Sequence, residues 1–288
     1  MKNDIKRGIF HILLSALFFS LMSIFVRLAG DIPTFQKAFF RNLIAVGVAF
    51  VILARTPEGF HVKKTSWKNL FYRSFFGSMG IICNFWAIDH IGIADANMLN
   101  KMSPFFAIIM SIFLLREKPK RIDIFSVIIA LIGAAFVIKP SASIASFGAC
   151  IALFGGFTSG TAYTFVRKLG QSGERGPVIV LFFSAFSTIL CVPFILAGHA
   201  PMSLGQWFCL LLAGTCASIA QLNITAAYTY APAAKISVFD YVQVLFAALW
   251  GFLFFSEIPD RYSVIGYVLI IGIAVFKYVI NNKKRLAH

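Results

Sequence analysis

Long runs of apolar residues alternate with short polar connections along nearly the whole chain. Each run is close to the roughly 20 residues that a helix needs to cross about 30 Å of hydrocarbon. Only helices and closed barrels satisfy their backbone in lipid, and the alternating pattern of a barrel strand does not occur here. The pattern therefore predicts ten transmembrane helices. They span 8–28, 35–54, 69–88, 94–115, 122–138, 147–166, 177–197, 205–224, 234–255 and 262–280.

Composition supports a membrane protein. Of the 288 residues, 59% are hydrophobic and only 13% are charged, whereas soluble domains are about half apolar and a quarter charged. The chain is therefore predicted to be an all-α polytopic membrane protein whose main surroundings are the lipid bilayer. Its net charge of +15 is not interpreted as a nucleic-acid signal, and no nucleic-acid partner is expected.

Two motifs recur at one offset of 140 residues, which indicates an internal repeat. The recurring segments are REKPKR at 116–121 with SEIPDR at 256–261, and FVRLAG at 25–30 with FVRKLG at 165–170. The repeat predicts two five-helix units, residues 1–140 and 141–288. Five is an odd number, so the second unit must enter the membrane in the opposite orientation, as in the inverted repeats of many transporters.

Basic residues mark one side of the predicted membrane. On one set of alternate connections there are 17 Lys and Arg residues, and on the other set there are 4. The larger set is Lys2, Lys6, Arg7, Arg55, Lys63, Lys64, Lys68, Arg116, Lys118, Lys120, Arg121, Arg167, Lys168, Arg175, Lys283, Lys284 and Arg285; the smaller set is Arg27, Lys37, Lys139 and Arg261. Because Lys and Arg accumulate on cytoplasmic loops, both termini are predicted to be cytoplasmic.

The repeated E-x-P-x-R segments predict sharp corners after the fourth and ninth helices. Prolines stop each helix, and Arg121 and Arg261 begin the next one. Glu117 and Glu257 stand at helix C-termini, where negative charge is unfavourable. Each glutamate is therefore expected to have a cationic partner, such as the arginine that follows, or to cap the next helix. We interpret these four residues as structural corners, with gating ion pairs as the alternative.

These features resemble the drug/metabolite transporter superfamily, of the EamA type. Further similar segments are KAFFRNLIA at 37–45, the stretch 96–119 and the stretch 231–260. The resemblance covers nearly the whole chain. It implies a secondary transporter with a central cavity between the repeats and with the fifth and tenth helices on the outside. Members of the superfamily move amino acids, nucleotide sugars, S-adenosylmethionine, purines, polyamines and other metabolites.

Polar residues inside the apolar runs are the candidate binding residues, because burying them in lipid costs a few kcal/mol each. Spacings of three, four and seven residues place the polar positions of the fourth helix on one face. The 140-residue shift gives the ninth helix a matching stripe. Both stripes are expected to face the cavity. They consist of Asn97, Asn100 and Lys101 in the fourth helix and Ser237, Asp240, Tyr241 and Gln243 in the ninth.

Each candidate also has a structural interpretation. Asp240 either pairs with Lys101 to lock two helices or takes part in substrate binding or proton coupling. Lys101 could equally hold a substrate carboxylate or phosphate. Arg41 in the second helix either contacts substrate or a gate, or makes a structural pair. Arg73, near the start of the third helix, favours a snorkelling position at the membrane interface.

Three further residues complete the candidate set. Asn84 and Trp86 in the third helix could line a cavity wall, although Trp86 could equally pack or anchor at the interface. Pro104 should kink the fourth helix. That kink could act as a gating hinge or give fixed curvature.

The catalytic, P-loop and dinucleotide-binding motifs that would indicate an enzyme are missing. No cofactor or metal is therefore expected, and ATP is not a direct energy source. The sequence predicts a bacterial inner-membrane transporter of a small organic metabolite, most simply an amino acid or a derivative, working by alternating access. A proton, a counter-substrate or the substrate gradient could drive it, and homodimer formation is left open. The alternatives are a nucleotide, nucleotide-sugar or S-adenosylmethionine carrier, or a non-transporting membrane subunit or scaffold.

Overall fold

The computed structural model describes residues 4–91, 93–138, 147–256 and 258–286. Glu257, one of the predicted corner residues, and Lys139 lie outside these ranges. Within them the regular structure is entirely helical. The helices are α1 (Ile5–Leu28), α2 (Thr34–Ala54), α3 (Trp67–Ile91), α4 (Ile93–Asn100), α5 (Ser103–Leu115), α6 (Arg121–Ile138), α7 (Phe147–Gln171), α8 (Gly176–Ala197), α9 (Leu204–Tyr230), α10 (Ala233–Ile236), α11 (Val242–Phe255) and α12 (Arg261–Leu286).

The helices match the predicted membrane spans. Nine segments of the described chain are long and apolar enough to cross a bilayer, counting α4 with α5 from Ala96 and α10 with α11 as one span each. The tenth segment is α3, whose 25 residues are also long enough, at about 1.5 Å per residue, to cross the hydrocarbon. It is more polar than the others, with Arg73 and Asn84 inside it. That polarity makes α3 a candidate wall of a polar cavity.

The fourth and ninth spans are each broken near the middle, where the sequence predicted continuous helices. The fourth span leaves α-helical geometry at Lys101 and Met102, between α4 and α5. The ninth changes to a short 3₁₀ segment, Ser237–Tyr241, between α10 and α11. Position 101 shifted by 140 is position 241, so the two breaks occupy equivalent places in the two repeats.

The repeated corners share one backbone conformation. Arg116 after α5 and Ser256 after α11 both adopt the left-handed conformation, with φ of 54° and 55°. Their N–H groups donate to the carbonyls of Ser111 and Gly251, which are again 140 residues apart. Non-glycine residues rarely adopt this conformation. Its occurrence at both corners means that the two halves fold alike at this point.

Most helix contacts of one repeat have an equivalent in the other. When each helix is exchanged for its counterpart in the other repeat, the contact of α1 with α9 becomes the contact of α7 with α3, and both contacts are extensive. The exchange also turns α2 with α9 into α8 with α3, and α5 with α7 into α11 with α1. The contacts of α2 with α8 and of α6 with α12 map onto themselves, whereas the contact of α7 with α9 has no counterpart of similar size. The chain therefore forms two inverted five-helix repeats, and its fifth and tenth spans pack against each other.

Candidate functional site

A cavity of about 410 Å³ lies between the two repeats, where the breaks of the fourth and ninth spans meet. Helices α1, α2, α3, α6, α7, α8 and α9 complete its wall. Seven of the candidate binding residues predicted from the sequence line it. They are Arg41, Asn84, Asn97, Asn100, Lys101, Asp240 and Gln243.

Lys101 and Asp240 meet across the repeat interface. The Lys101 Nζ lies 3.4 Å from Asp240 Oδ2 and donates a hydrogen bond of 2.7 Å to Gln243 Oε1. The two charged side chains keep only 16% and 12% of their surface exposed. The ion pair foreseen from the sequence therefore forms in this conformation, and it lies on the cavity wall within reach of a ligand.

Three predicted site residues do not line the cavity. The Tyr241 hydroxyl donates a 2.7 Å hydrogen bond to the Lys101 carbonyl, which the helix break leaves without its regular partner. The Ser237 hydroxyl is buried 3.5 Å from the Tyr228 hydroxyl. Trp86 stacks on His90 with ring centroids 3.6 Å apart. Tyr241 therefore stabilises the break, and Trp86 takes the packing role that was its alternative.

Pro104 stands in the first turn of α5, just after the break in the fourth span. A proline is well tolerated there because the first-turn N–H groups have no helical partner. The ninth span breaks at the equivalent point although Val244 occupies the matching position. The break is therefore a property of the fold that does not require proline.

Arg73 is the main site residue that the sequence interpretation misplaced. It does not snorkel at the interface: it is 2% exposed and lines the central cavity. Its guanidinium lies 4.0 Å from the centre of the Phe183 ring. A signal was present in the sequence, because Arg73, Gly77, Gly80 and Asn84 recur at helical spacing and all four line the cavity.

Several cavity-lining side chains bury atoms that have no hydrogen-bond partner among the described residues. These atoms are Nε of Arg41, Nε and Nη1 of Arg73, Oδ1 of Asn84 and Nε2 of Gln221. Buried polar groups are usually paired, so such a cluster is unusual. The described lining also carries three cations, Arg41, Arg73 and Lys101, against one carboxylate, Asp240. The arrangement can hold an anionic group and, at Asp240, a cationic one.

The corner glutamate of the first repeat has a partner other than the expected one. Glu117 pairs with Arg167 of α7, with Nε 3.3 Å from Oε1, and the same arginine donates to the Thr229 carbonyl at 2.8 Å. Arg121, the partner suggested by the sequence, is exposed at the start of α6. Arg167 belongs to the FVRKLG motif. The two motifs that revealed the repeat therefore contact each other.

A second buried ion cluster joins the fifth, ninth and tenth spans. Asp123 of α6 accepts hydrogen bonds from Lys235 of α10 at 2.9 and 3.0 Å and is also paired with Lys277 of α12. The Asp123 side chain is fully buried. These three residues stand near the ends of predicted spans, where charges are common, so the sequence pattern did not single them out. Their position outside the cavity assigns them to helix packing.

Comparisons with known proteins agree with this architecture. A family model described as the EamA-like transporter family matches residues 6–139 and 146–278. A solved crystal structure superposes with a TM-score of 0.83 at 16% identity, covering 96% of this chain and 98% of the other, which shows a shared fold.

Two curated relatives match along nearly their whole length. The chain is 31% identical over 270 residues to the pseudopaline exporter CntI of Pseudomonas aeruginosa, covering 93% of this chain and 94% of that protein. It is 27% identical over 285 residues to an uncharacterized transporter of Helicobacter pylori, covering 94% of each. The chain therefore belongs to the EamA-like transporter family of multi-pass membrane proteins.

Proposed function

We propose that the protein carries a small organic metabolite, an amino acid or an amino-acid derivative, across the bacterial inner membrane by alternating access through the central cavity. The observation that carries this proposal is the Lys101–Asp240 pair at the meeting point of two broken spans. Discontinuous helices at the repeat interface are where secondary transporters bind their substrates. Intramembrane charges that face a cavity are functional candidates by the same reasoning.

The chemistry of an amino acid fits this pair. A substrate carboxylate can take the place of Asp240 at the Lys101 ammonium, and a substrate amine can take the place of Lys101 at the Asp240 carboxylate. Gln243, already bonded to Lys101 at 2.7 Å, keeps a neutral acceptor near the ammonium during the exchange. Each charge then retains a partner, which limits the cost of breaking a buried pair.

The direction and the energy source are part of the same proposal. The relative named as an exporter supports outward transport as the first direction to test. Proton coupling, exchange and simple facilitation differ in which gradient drives flux. They are distinguished by imposing a proton gradient, a counter-substrate or neither across proteoliposomes.

The decisive experiment identifies a substrate and then removes the pair. Untargeted metabolite profiling of cells with and without the protein supplies candidate compounds, and flux into proteoliposomes tests them. We expect Lys101→Ala and Asp240→Ala each to abolish most of the flux. Unchanged flux in both variants would refute the site. No protein-dependent flux of any compound in a broad screen would favour a non-transporting subunit or scaffold.

We also propose that the repeats divide at 140/141 and that both termini face the cytoplasm. The division is supported by the 140-residue offset of the repeated motifs, and the orientation by the bias of Lys and Arg toward one set of connections. Labelling of terminal tags in spheroplasts and in inverted vesicles tests the orientation. Termini found on opposite sides of the membrane would contradict it.

A further inference from the structure

We infer that Arg73 forms a second anion-binding subsite in the central cavity, which receives a second carboxylate or a phosphate group of the same substrate. This inference rests on the proposed transport function and extends it, because an ordinary amino acid carries only one anionic group. The transported compound is then a metabolite with at least two anionic groups.

The first support is the slot that holds the guanidinium. Arg73 lies over the face of Phe183 at 4.0 Å, a geometry that attracts a cation to the ring. Gly77, one helical turn further along α3, leaves the space that the guanidinium fills. A Cβ added at Gly77 would overlap Nη1 of Arg73 and would stand 2.8 Å from Cε2 of Phe183. The glycine and the ring therefore fix where the charge lies.

The second support is the unused hydrogen-bonding capacity of Arg73. Its side chain is almost completely buried, and within the described part of the chain Nε and Nη1 have no acceptor. A buried charge without a partner is expensive. Arginine presents its N–H groups in a planar fork that matches carboxylate and phosphate oxygens. Arg73 lines the cavity, so an anionic group of a bound molecule can reach it.

The third support is the balance of charge along the described cavity wall. Lys101 already has Asp240 and Gln243 as partners, whereas Arg41 and Arg73 retain unpaired donors. Three cations against one carboxylate leave an excess of two positive charges. An ordinary amino acid leaves that excess unchanged, because its carboxylate and its amine cancel. A second anionic group offsets one of the two positive charges, and Arg73 is the cation with the built slot.

The test is a thermodynamic cycle that combines one side-chain replacement, Arg73→Gln, with the removal of one charge from the substrate. The transported compound is identified as described above. It is compared with an analogue in which one carboxylate becomes an amide or one phosphate becomes a hydroxyl, called the neutral analogue because that one group has lost its charge. Binding of both compounds is measured for the purified wild type and for Arg73→Gln. The wild type should bind the neutral analogue at least about 10-fold more weakly, while Arg73→Gln should bind the two compounds within about twofold.

Three further variants separate binding from packing. Arg73→Lys keeps the charge and should retain part of the discrimination. Gly77→Ala pushes the guanidinium from its slot and should resemble Arg73→Gln. Arg27→Gln is the matched control, because Arg27 also lies over an aromatic ring, at 3.8 Å from Phe255, but does not line the central cavity. It should discriminate like the wild type. Size-exclusion profiles show that each variant is folded.

The outcomes separate this inference from the proposed function. A transported compound with one anionic group, or equal discrimination by the wild type and Arg73→Gln, overturns the subsite and leaves the transport function intact. No protein-dependent flux for any compound overturns both. If the protein binds the carboxylate compound more tightly than its amide only when Arg73 is present, the subsite binds a carboxylate. The corresponding result with a dephosphorylated analogue assigns a phosphate.

Discussion

The breaks in the fourth and ninth spans occupy equivalent positions in the two repeats and have opposite chemistry. In the first repeat the break ends α4 with Asn97, Asn100 and Lys101 on the cavity wall. In the second repeat it passes through a 3₁₀ segment that contains Asp240 and Tyr241. The 140-residue shift sets Asn100 opposite Asp240 and Lys101 opposite Tyr241. A cation and an amide in one half thus face an anion and a phenol in the other.

This difference shows how a duplicated scaffold acquires a polar site whose two sides carry different charges. Symmetry supplies two breaks at equivalent positions, each contributing residues to one cavity. Sequence divergence then makes the two sides complementary. Tyr241 donates to the Lys101 carbonyl at 2.7 Å, and Lys101 lies 3.4 Å from Asp240. The second repeat thus stabilises the break of the first and balances its charge.

Removing the carboxylate should break the complementarity most severely. Asp240→Asn leaves Lys101, Arg41 and Arg73 without a counter-charge in the described lining. It also removes the proposed partner of the substrate amine, so flux of the identified substrate should fall by about 100-fold, the equivalent of about 3 kcal/mol of substrate binding. Initial rates in proteoliposomes measure this, with reconstituted protein quantified on the same vesicles. Near-wild-type rates would show that the pair is only structural.

Moving the carboxylate to the other repeat should restore part of the flux that Asp240→Asn loses. The double variant Asn100→Asp with Asp240→Asn keeps the charge of the cavity while exchanging two symmetry-related positions. We expect it to recover about tenfold, or about 1.4 kcal/mol, over Asp240→Asn alone. Asn97→Asp with Asp240→Asn is the matched control, one turn away on the same helix. Equal rates for the two double variants would argue against the symmetric equivalence.

Loss of the hydrogen bond across the breaks should have a moderate effect. Tyr241→Phe removes this donor from the part-buried Lys101 carbonyl, at a cost of about 1 kcal/mol of stability. Thermal unfolding in detergent measures the loss. Tyr228→Phe is the control, because the Tyr228 hydroxyl has only a longer contact of 3.5 Å with Ser237, and it should lose less. The reverse order would contradict a role for Tyr241 at the break.

Replacing the proline should have the smallest effect. The ninth span breaks without a proline, so Pro104→Ala should keep the break in the fourth. A change of about 0.4–1 kcal/mol is expected from the freer unfolded chain, with flux altered less than about fivefold. Proteoliposome flux and thermal unfolding check both statements. A collapse of flux at unchanged stability would instead assign Pro104 a hinge role.

Much of the site could be predicted from the sequence because its polar residues interrupt long apolar runs. Lys101 and Asp240 were identifiable for that reason, and the 140-residue repeat paired their helices. The place of Arg73 could not be predicted in the same way. An arginine two turns into a helix can reach either the interface or the interior, and the space left by Gly77 and the ring of Phe183 directs it inward. The partner of Glu117 was missed because Arg167 is distant in sequence.

The sequence alone determined the membrane spans, their duplication and the depth of the polar stripes, because apolar length and periodicity are local properties of a chain in lipid. The tertiary structure decided which charges share a cavity, which carbonyl receives the Tyr241 hydroxyl and which arginine keeps free donors. Those outcomes depend on which helices touch and on how far long side chains reach between them. No single span determines these contacts, because they arise from the packing of several helices.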